Sequence, residues 1–435
     1  MQLGDKQGLA RSKAQSGRGP SKREAAEAQA RARARARARA RKRAIAIRMR
    51  AFVQALPKAE LHSHLAGSIR DATLRELIPA DSPLHATLET TKNRSLSDSF
   101  QIFAVIHSTI TTSALLSRIV GEMIEDNARD NVVYLEMRTT PRRLQDCPFA
   151  EGESSTRRLS PRPGLTIDIA EEEEAVDFAL NHYLESVAHA VAAKVAVFPQ
   201  IQVRLIVSVN RTSPLENIKR IISLALAYKK NDNSRLVVGL DISGDPTRGN
   251  MAPILELLAA RVKGRMPVSL HAGECMNVAE MEAVLDYAPE RLGHCCVLAE
   301  ASRNRMVASR IPLELCPTSN MLTLHLPRFS YHPQAAFLFE RDFPVAICTD
   351  DSGVFNVSLT DELVLVAETG GFSLEAASKL VTRAFDYLFC DDALRDQLKQ
   401  HALQVAAQEL LRHSAASSTT EGSSRPVLLM RQVSK

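Results

Sequence analysis

The sequence has no apolar run as long as a membrane-spanning helix requires. Such a helix takes about 18 or more consecutive apolar residues, and no stretch of the 435 residues reaches that length. The apolar central region of a secretory signal is also missing near the start. We therefore expect a cytoplasmic protein without a membrane partner.

The cysteines do not form a recognisable framework. Their number, seven, is odd, and no two of them have the CxxC spacing. This pattern argues against a disulfide-stabilised secreted protein, and a reducing compartment is the simpler interpretation.

The positive charge of the chain is concentrated at its start. Residues 1–50 carry 16 Lys and Arg against 3 Asp and Glu, whereas the remaining 385 residues carry 39 against 47. The body is therefore mildly acidic, and nothing in it suggests a nucleic-acid-binding face. Any contact with nucleic acid would come through residues 1–50.

Residues 1–50 are of low complexity, with Arg and Ala alternating from residue 30 to residue 41. A period of two places Arg all round a helix and leaves no apolar stripe, so we predict a disordered Arg/Ala-rich segment. Three interpretations stay open. The segment is an arm that touches RNA or anionic lipid, an organelle transit peptide, or an upstream reading-frame extension ahead of Met49.

The rest of the chain alternates short apolar runs with helix-like stretches. Eight runs rich in Val, Ile and Leu are typical of parallel strands covered on both faces. They predict an α/β fold, a (β/α)8 TIM barrel over residues 51–412, with a flexible insertion near 146–169 and a disordered tail at 413–435. A doubly wound sheet is the alternative, but its glycine-rich turn after the first strand is absent. The predicted strands are 60–65, 132–138, 203–209, 236–242, 268–271, 291–294, 311–315 and 345–349.

Chemically capable side chains follow these strands. His62 and His64 share one strand face, because residues i and i+2 point the same way. With His271 and Asp350 they make three imidazoles and one carboxylate, a suitable shell for zinc or a similar divalent metal. The carboxyl ends of barrel strands meet at one rim, which carries the active site. Other polar residues expected at that rim are Arg142, Asn210, Gly244, Asp245, Glu274, His294, Ser319, Asn320 and Asp351.

Four motifs, in this order, resemble the adenosine deaminase family of metal-dependent amidohydrolases. They are KAELHSHLAGSI at residues 58–69, SLHAGE at 269–274, RLGH at 291–294 and CTDD at 348–351. The similarity extends from about residue 58 to residue 388 and implies a barrel of the metal-dependent hydrolase type. The runs at 132–143, 239–247 and 311–320 resemble the adenosine deaminase-like branch, whose members are associated with converting N6-methyl-AMP and related nucleotides to IMP.

The resemblance also implies roles for individual residues. One Zn²⁺ per chain would be bound by His62, His64, His271 and Asp350. Glu274 would protonate N1 of the purine, and His294 would orient the attacking water. The expected substrate-binding residues are His64, His107, Thr139, Thr140, Pro141, Arg142, Asn210, Gly244 and Asp351.

We therefore expect a zinc-dependent deaminase, a monomer, that converts N6-methyl-AMP to IMP and an amine. The alternatives are an adenosine deaminase and an inactive nucleotide- or RNA-binding relative. Two positions depart from the family pattern. Ala66 stands where adenosine deaminases carry Asp and the branch carries Asn, and Asn210 stands where the branch carries Asp.

Overall fold

The computed structural model describes residues 22–90, 95–148, 169–231, 235–340 and 342–418. The chain divides into two compact units, residues 1–48 and residues 49–435. The second unit contains eight strands: β1 (Lys58–His64), β2 (Val132–Thr139), β3 (Gln202–Asn210), β4 (Val237–Ser243), β5 (Val268–Ala272), β6 (Arg291–His294), β7 (Leu313–Leu315) and β8 (Val345–Ile347).

The helices lie mostly between these strands. In chain order they are α1 (Lys22–Ala55), α2 (Asp71–Leu77), α3 (Leu84–Thr90), α4 (Leu96–Thr109), α5 (Ser113–Arg129), α6 (Ile169–Val195), α7 (Leu215–Asn231), α8 (Met251–Arg261), α9 (Val278–Tyr287), α10 (Glu300–Ser309), α11 (Pro317–Thr323), α12 (Ala335–Glu340), α13 (Ser352–Phe355), α14 (Leu359–Gly370), α15 (Leu374–Arg383) and α16 (Asp392–Ser418). Two 3₁₀ turns cover Phe329–Tyr331 and Ala384–Tyr387.

The strands form one parallel sheet in the order β1 to β8. A parallel bridge between Ser63 and Asp350 joins its two ends. The backbone N–H of Asp350 donates to the carbonyl of His62 at 2.8 Å, and the N–H of His64 donates to the carbonyl of Asp350 at 2.8 Å. The predicted (β/α)8 barrel is therefore confirmed, and its closure brings two predicted metal ligands beside a third.

Helix α5 shows how the outer layer is built. Its buried residues follow the three- and four-residue spacing of one helix face: Leu116, Ile119, Val120, Met123 and Ile124. Thr112 begins the helix by accepting a hydrogen bond from the N–H of Leu115 at its side chain. Helix α5 is therefore amphipathic and begins at a defined residue, and it lies against a sheet that is buried on both faces.

Residues 22–48 are helical, so the expected disorder of residues 1–50 does not hold for this part. Arg and Ala are both strong helix formers, and local propensity can form a helix even where no apolar stripe exists. The side chains from Arg31 to Arg41 are all exposed. From Met49 onward the chain belongs to the barrel unit, where Met49 and Phe52 are buried.

The other predicted irregular regions are only partly described. Helix α16 continues to Ser418, beyond the predicted start of the tail at residue 413, and residues 419–435 lie outside the described chain. Most of the predicted insertion, residues 149–168, also lies outside it. Among the described helices, none has the length and hydrophobicity needed to cross a membrane.

Candidate active site

Three histidines and one aspartate converge at the carboxyl ends of β1, β5 and β8. Nε2 of His64 lies 3.2 Å from Nε2 of His62 and 3.2 Å from Nε2 of His271. Oδ1 of Asp350 lies 3.5 Å from Nε2 of both His62 and His64. Donors placed tetrahedrally about 2.1 Å from a zinc-sized ion are roughly 3.4 Å apart. The four side chains therefore have the spacing of ligands around one divalent metal ion.

Two of these imidazoles are oriented by buried carboxylates on the side away from the ligand cluster. Nδ1 of His62 lies 2.7 Å from Oε2 of Glu314, and Nδ1 of His271 lies 2.8 Å from Oδ1 of Asp241. A carboxylate oxygen accepts, so each Nδ1 carries a proton, and in the neutral ring each Nε2 presents a lone pair. Lone pairs facing each other at such short range repel, and a cation between them removes that repulsion. The donor chemistry therefore fits a bound metal.

The two orienting carboxylates are tied together by Arg138. Its guanidinium donates to Oδ1 of Asp241 at 3.1 Å and to Oε2 of Glu314 at 2.5 Å, and all three side chains are fully buried. Burial alone would raise the pKa of Glu314, but the charges of Arg138 and Arg291 hold it below its usual value. We call Arg138, Asp241 and Glu314 the inner triad; it lies in the barrel interior, a space that branched apolar residues usually fill.

Glu274 and His294 lie beside the metal ligands. Nε2 of His294 is 4.0 Å from Oε2 of Glu274 and 3.9 Å from Oδ2 of Asp350. Desolvation raises the pKa of Glu274 to about 7, so its carboxyl can carry a proton near neutral pH. Burial lowers the pKa of His294 well below its ordinary value, so its ring is neutral. An acid and a neutral imidazole therefore face the same space.

Asp350 and Asp351 are held in place by close packing. Asp350 has the left-handed φ of 63° and accepts a hydrogen bond from Ser319 Oγ at 2.7 Å. A Cβ on Gly67 would lie 1.7 Å from Oδ1 of Asp351, so only glycine leaves room for that carboxyl. Burial, followed by the charge of Asp350, raises the pKa of Asp351 well above its usual value. Among the described residues Oδ1 of Asp351 has no hydrogen-bond partner. A buried polar atom without a partner is expected where a ligand binds.

The predicted substrate residues at the end of β2 form a compact group. The Thr139 hydroxyl lies 2.6 Å from the hydroxyl of Tyr183, and Arg142 stands over the Tyr183 ring at 5.9 Å. Arg142 also donates to the carbonyl of Ile110 at 2.8 Å. Thr139 therefore serves the packing of Tyr183, and the guanidinium of Arg142 is fixed on two sides. Thr140 and Pro141 lie between them on the same loop.

His107 on α4 is exposed at the surface, although its ring lies near the charged end of Arg142. Partial desolvation of the ring and then the positive charge of Arg142 lower the pKa of His107 below its ordinary value. The imidazole is therefore neutral at physiological pH.

Asn210 and Gly244 lie side by side at the ends of β3 and β4. A Cβ on Gly244, which has a φ of 107°, would come within 2.5 Å of Oδ1 of Asn210. That oxygen already accepts hydrogen bonds from the N–H and the hydroxyl of Thr212 at 2.9 and 2.8 Å. The amide oxygen of Asn210 is therefore used within its own loop.

Sequence reasoning missed the inner triad and Tyr183. A signal for the triad was present, because each member is a charged residue inside a mostly apolar strand, and burying a charge is costly unless it is paired. Its pairing across β2, β4 and β7 is visible only once the barrel is closed. Tyr183 carried no such signal, since a tyrosine on a long helix is usually part of the packing.

Comparisons with known proteins point to one family. The family model described as adenosine deaminase matches residues 57–405. An Arabidopsis thaliana protein named N6-mAMP deaminase is 33% identical over 358 residues, covering 80% of this chain and 96% of its own. A Homo sapiens protein named N6-Methyl-AMP deaminase is 30% identical, covering 80% and 93%. The crystal structure of arabidopsis ADAL complexed with IMP aligns with a TM-score of 0.70 and 29% identity, covering 82% of this chain and 99% of that one.

From the contacts of the inner triad we predict the effect of the substitution Asp241→Asn. Loss of the carboxylate charge behind His271 should weaken metal binding about 10- to 100-fold, the usual effect of removing such a partner. Competition with a chelator of known affinity measures this. Asp286→Asn is the matched control, because that side chain is 70% exposed on α9. Unchanged metal affinity in a folded Asp241→Asn protein would show that the triad does not support the site.

Proposed function

Because the chain belongs to the adenosine deaminase family, we propose that it hydrolyses N6-methyl-AMP to IMP and methylamine. The observation that carries the proposal is the placement of Glu274 and His294 about 4 Å apart beside the four clustered metal donors. The names of the relatives and the IMP-bound arabidopsis structure support a nucleotide substrate. Conversion of adenosine to inosine is the second candidate.

We propose zinc as the metal. Three imidazole nitrogens and one carboxylate are donors that zinc accepts, and His62, His64, His271 and Asp350 would hold one ion. When bound, zinc lowers the pKa of water toward neutrality and so supplies hydroxide near pH 7.

The chain's own side chains direct the attack at C6 of the purine. Glu274, protonated because desolvation raises its pKa to about 7, donates a proton to N1, which makes C6 electrophilic. His294 donates a hydrogen bond to the attacking oxygen. Asp351 carries a proton because of its raised pKa and can donate to N7. The backbone N–H of Gly244 meets N3, where the absence of a side chain permits close approach.

Arg142 is the candidate for the 5′-phosphate. Its guanidinium is anchored by Ile110 and Tyr183, and a planar fork of donors suits phosphate oxygens. His107 is near enough to add a neutral donor. The side chain of Ala66 cannot form a hydrogen bond, whereas relatives of the two branches carry Asp or Asn at this position. The residues at the end of β2, above all Arg142, therefore carry more of the nucleotide recognition.

A substrate panel tests the proposed reaction. Purified protein incubated with N6-methyl-AMP, AMP, N6-methyladenosine and adenosine should form IMP fastest from N6-methyl-AMP, as followed by ultraviolet absorbance and chromatography. Glu274→Gln should lower kcat by at least about 100-fold while metal content stays unchanged, because the amide cannot transfer a proton. Absence of turnover in metal-loaded protein, or full activity of Glu274→Gln, contradicts the proposal.

The phosphate assignment makes a separate prediction. Arg142→Gln should raise the KM for N6-methyl-AMP about 10- to 100-fold, the worth of a charge-assisted hydrogen bond, and leave the KM for N6-methyladenosine within twofold. Arg143→Gln, at the exposed neighbouring residue, is the control. An equal change in KM for the nucleotide and the nucleoside would show that Arg142 does not bind the phosphate.

We also propose an accessory role for residues 1–50 in binding nucleic acid. The arginines from residue 31 to residue 41 surround an exposed helix without an apolar face, which suits a polyanion better than insertion into a lipid interface. The six substitutions Arg→Gln at residues 31, 33, 35, 37, 39 and 41 should abolish a salt-dependent affinity for RNA. RNA binding that survives them would contradict this role.

We further propose that the protein is monomeric and cytoplasmic. Sedimentation equilibrium tests the monomeric state, and a dimer would overturn it. Imaging of the tagged full chain tests the cytoplasmic location, and an organellar signal would overturn it.

A further inference from the structure

His332 lies directly after the 3₁₀ turn at Phe329–Tyr331, and its side chain is buried. Its Nδ1 accepts hydrogen bonds from the backbone N–H groups of Gln334 at 3.3 Å and Ala335 at 3.2 Å. An imidazole nitrogen that accepts carries no proton. Burial also lowers the pKa of His332 to about 4, so the ring is neutral. The single ring proton of His332 is therefore on Nε2.

This proton fixes the orientation of Asn320. Nε2 of His332 lies 3.3 Å from Oδ1 of Asn320 and 3.6 Å from Sγ of Cys296. Since Nε2 donates, the amide oxygen of Asn320 must be the atom that faces it. The amide nitrogen then points the other way, toward Nδ1 of His294 at 3.0 Å.

The orientation of Asn320 in turn fixes His294. An amide NH₂ can only donate, so Nδ1 of His294 accepts and has no proton. An imidazole whose Nδ1 has no proton holds its single proton on Nε2, so the proton of His294 is on the nitrogen that faces Glu274 and Asp350. Both carboxylate oxygens are about 4 Å away, too far for direct hydrogen bonds, so an oxygen atom of the reacting molecules can lie between them.

The surrounding contacts hold this chain of hydrogen bonds rigid. Asn320 and His294 are both buried, and His294 adopts a left-handed φ of 62°, a strained conformation that tends to occur at functional sites. The side chain of Gln334 donates to the carbonyl of Cys296 at 3.2 Å, which ties the segment of His332 to the loop after β6.

We propose that His332 and Asn320 are positioning residues that lock His294 in its Nε2–H form. In this form Nε2 has no free lone pair, so the neutral ring does not accept the proton of the attacking water. It donates a hydrogen bond to the oxygen instead and stabilises the negative charge that develops there. The role of His294 rests on the proposed deaminase reaction, whereas its tautomer does not.

The direct test is nitrogen NMR of the zinc-loaded full chain labelled with ¹⁵N-histidine. Long-range ¹H–¹⁵N correlations distinguish the two neutral tautomers, and the signals that disappear in His294→Gln identify His294. We expect an unprotonated Nδ1 and a protonated Nε2 for both His294 and His332. A proton on Nδ1 of His294 overturns the proposal, whether or not the protein turns over N6-methyl-AMP.

A matched pair of variants tests the positioning role in the reaction. In His332→Gln an amide N–H can still donate to Asn320, whereas His332→Leu has a similar size and no donor. His332→Leu should lower kcat about tenfold or more with KM within twofold, since an incorrect histidine tautomer is known to be costly in other hydrolases, and His332→Gln should retain most of kcat. Equal losses in both variants overturn the role. If His332→Leu does not fold, the NMR result on the unmodified chain decides.

Discussion

The candidate site depends on a positive charge held inside the barrel. Arg138 lies between Asp241 and Glu314, without contact to water, and burying charges is expensive unless each is paired and hydrogen-bonded. Here the pairing also determines chemistry, because each carboxylate accepts a hydrogen bond from the Nδ1–H of one histidine. In the neutral rings of His62 and His271, Nε2 is then the unprotonated nitrogen that faces the metal site. A hydrophobic filling of the same space could be at least as stable, but it would leave these rings without a fixed orientation.

The closure of the sheet places the remaining groups around this centre. The bridge between Ser63 and Asp350 brings the end of the sheet against its first strand, so residues nearly 300 positions apart in sequence share one pocket. Left-handed backbone conformations occur at His294, the last residue of β6, and at Asp350, shortly after β8. Local strain and long-range closure therefore act together to assemble one set of donors and acids.

Much of this architecture was accessible from the sequence. The barrel and its eight strands follow from apolar runs separated by helix-like stretches, with errors of a few residues at the ends. The seventh strand was predicted from residue 311 but begins at Leu313, since Pro312 has no N–H to give to a neighbouring strand. The last was predicted to residue 349 but ends at Ile347.

Other features required the folded chain. The pairing of Arg138 with Asp241 and Glu314 joins three strands. The hydrogen-bond path from His332 to His294 depends on which atoms donate. A linear sequence pattern contains neither piece of information. Residues 22–48 form a helix without an apolar stripe, because Arg and Ala both have a high helix propensity.

X-ray diffraction at the zinc absorption edge tests the central claim most directly. The account predicts one anomalous peak per chain, about 2.0–2.1 Å from Nε2 of His62, His64 and His271, with their Nδ1 atoms turned away from it. The absence of a peak at these side chains in crystals grown with zinc, or a metal bound through Nδ1 of His62 or His271, would contradict it.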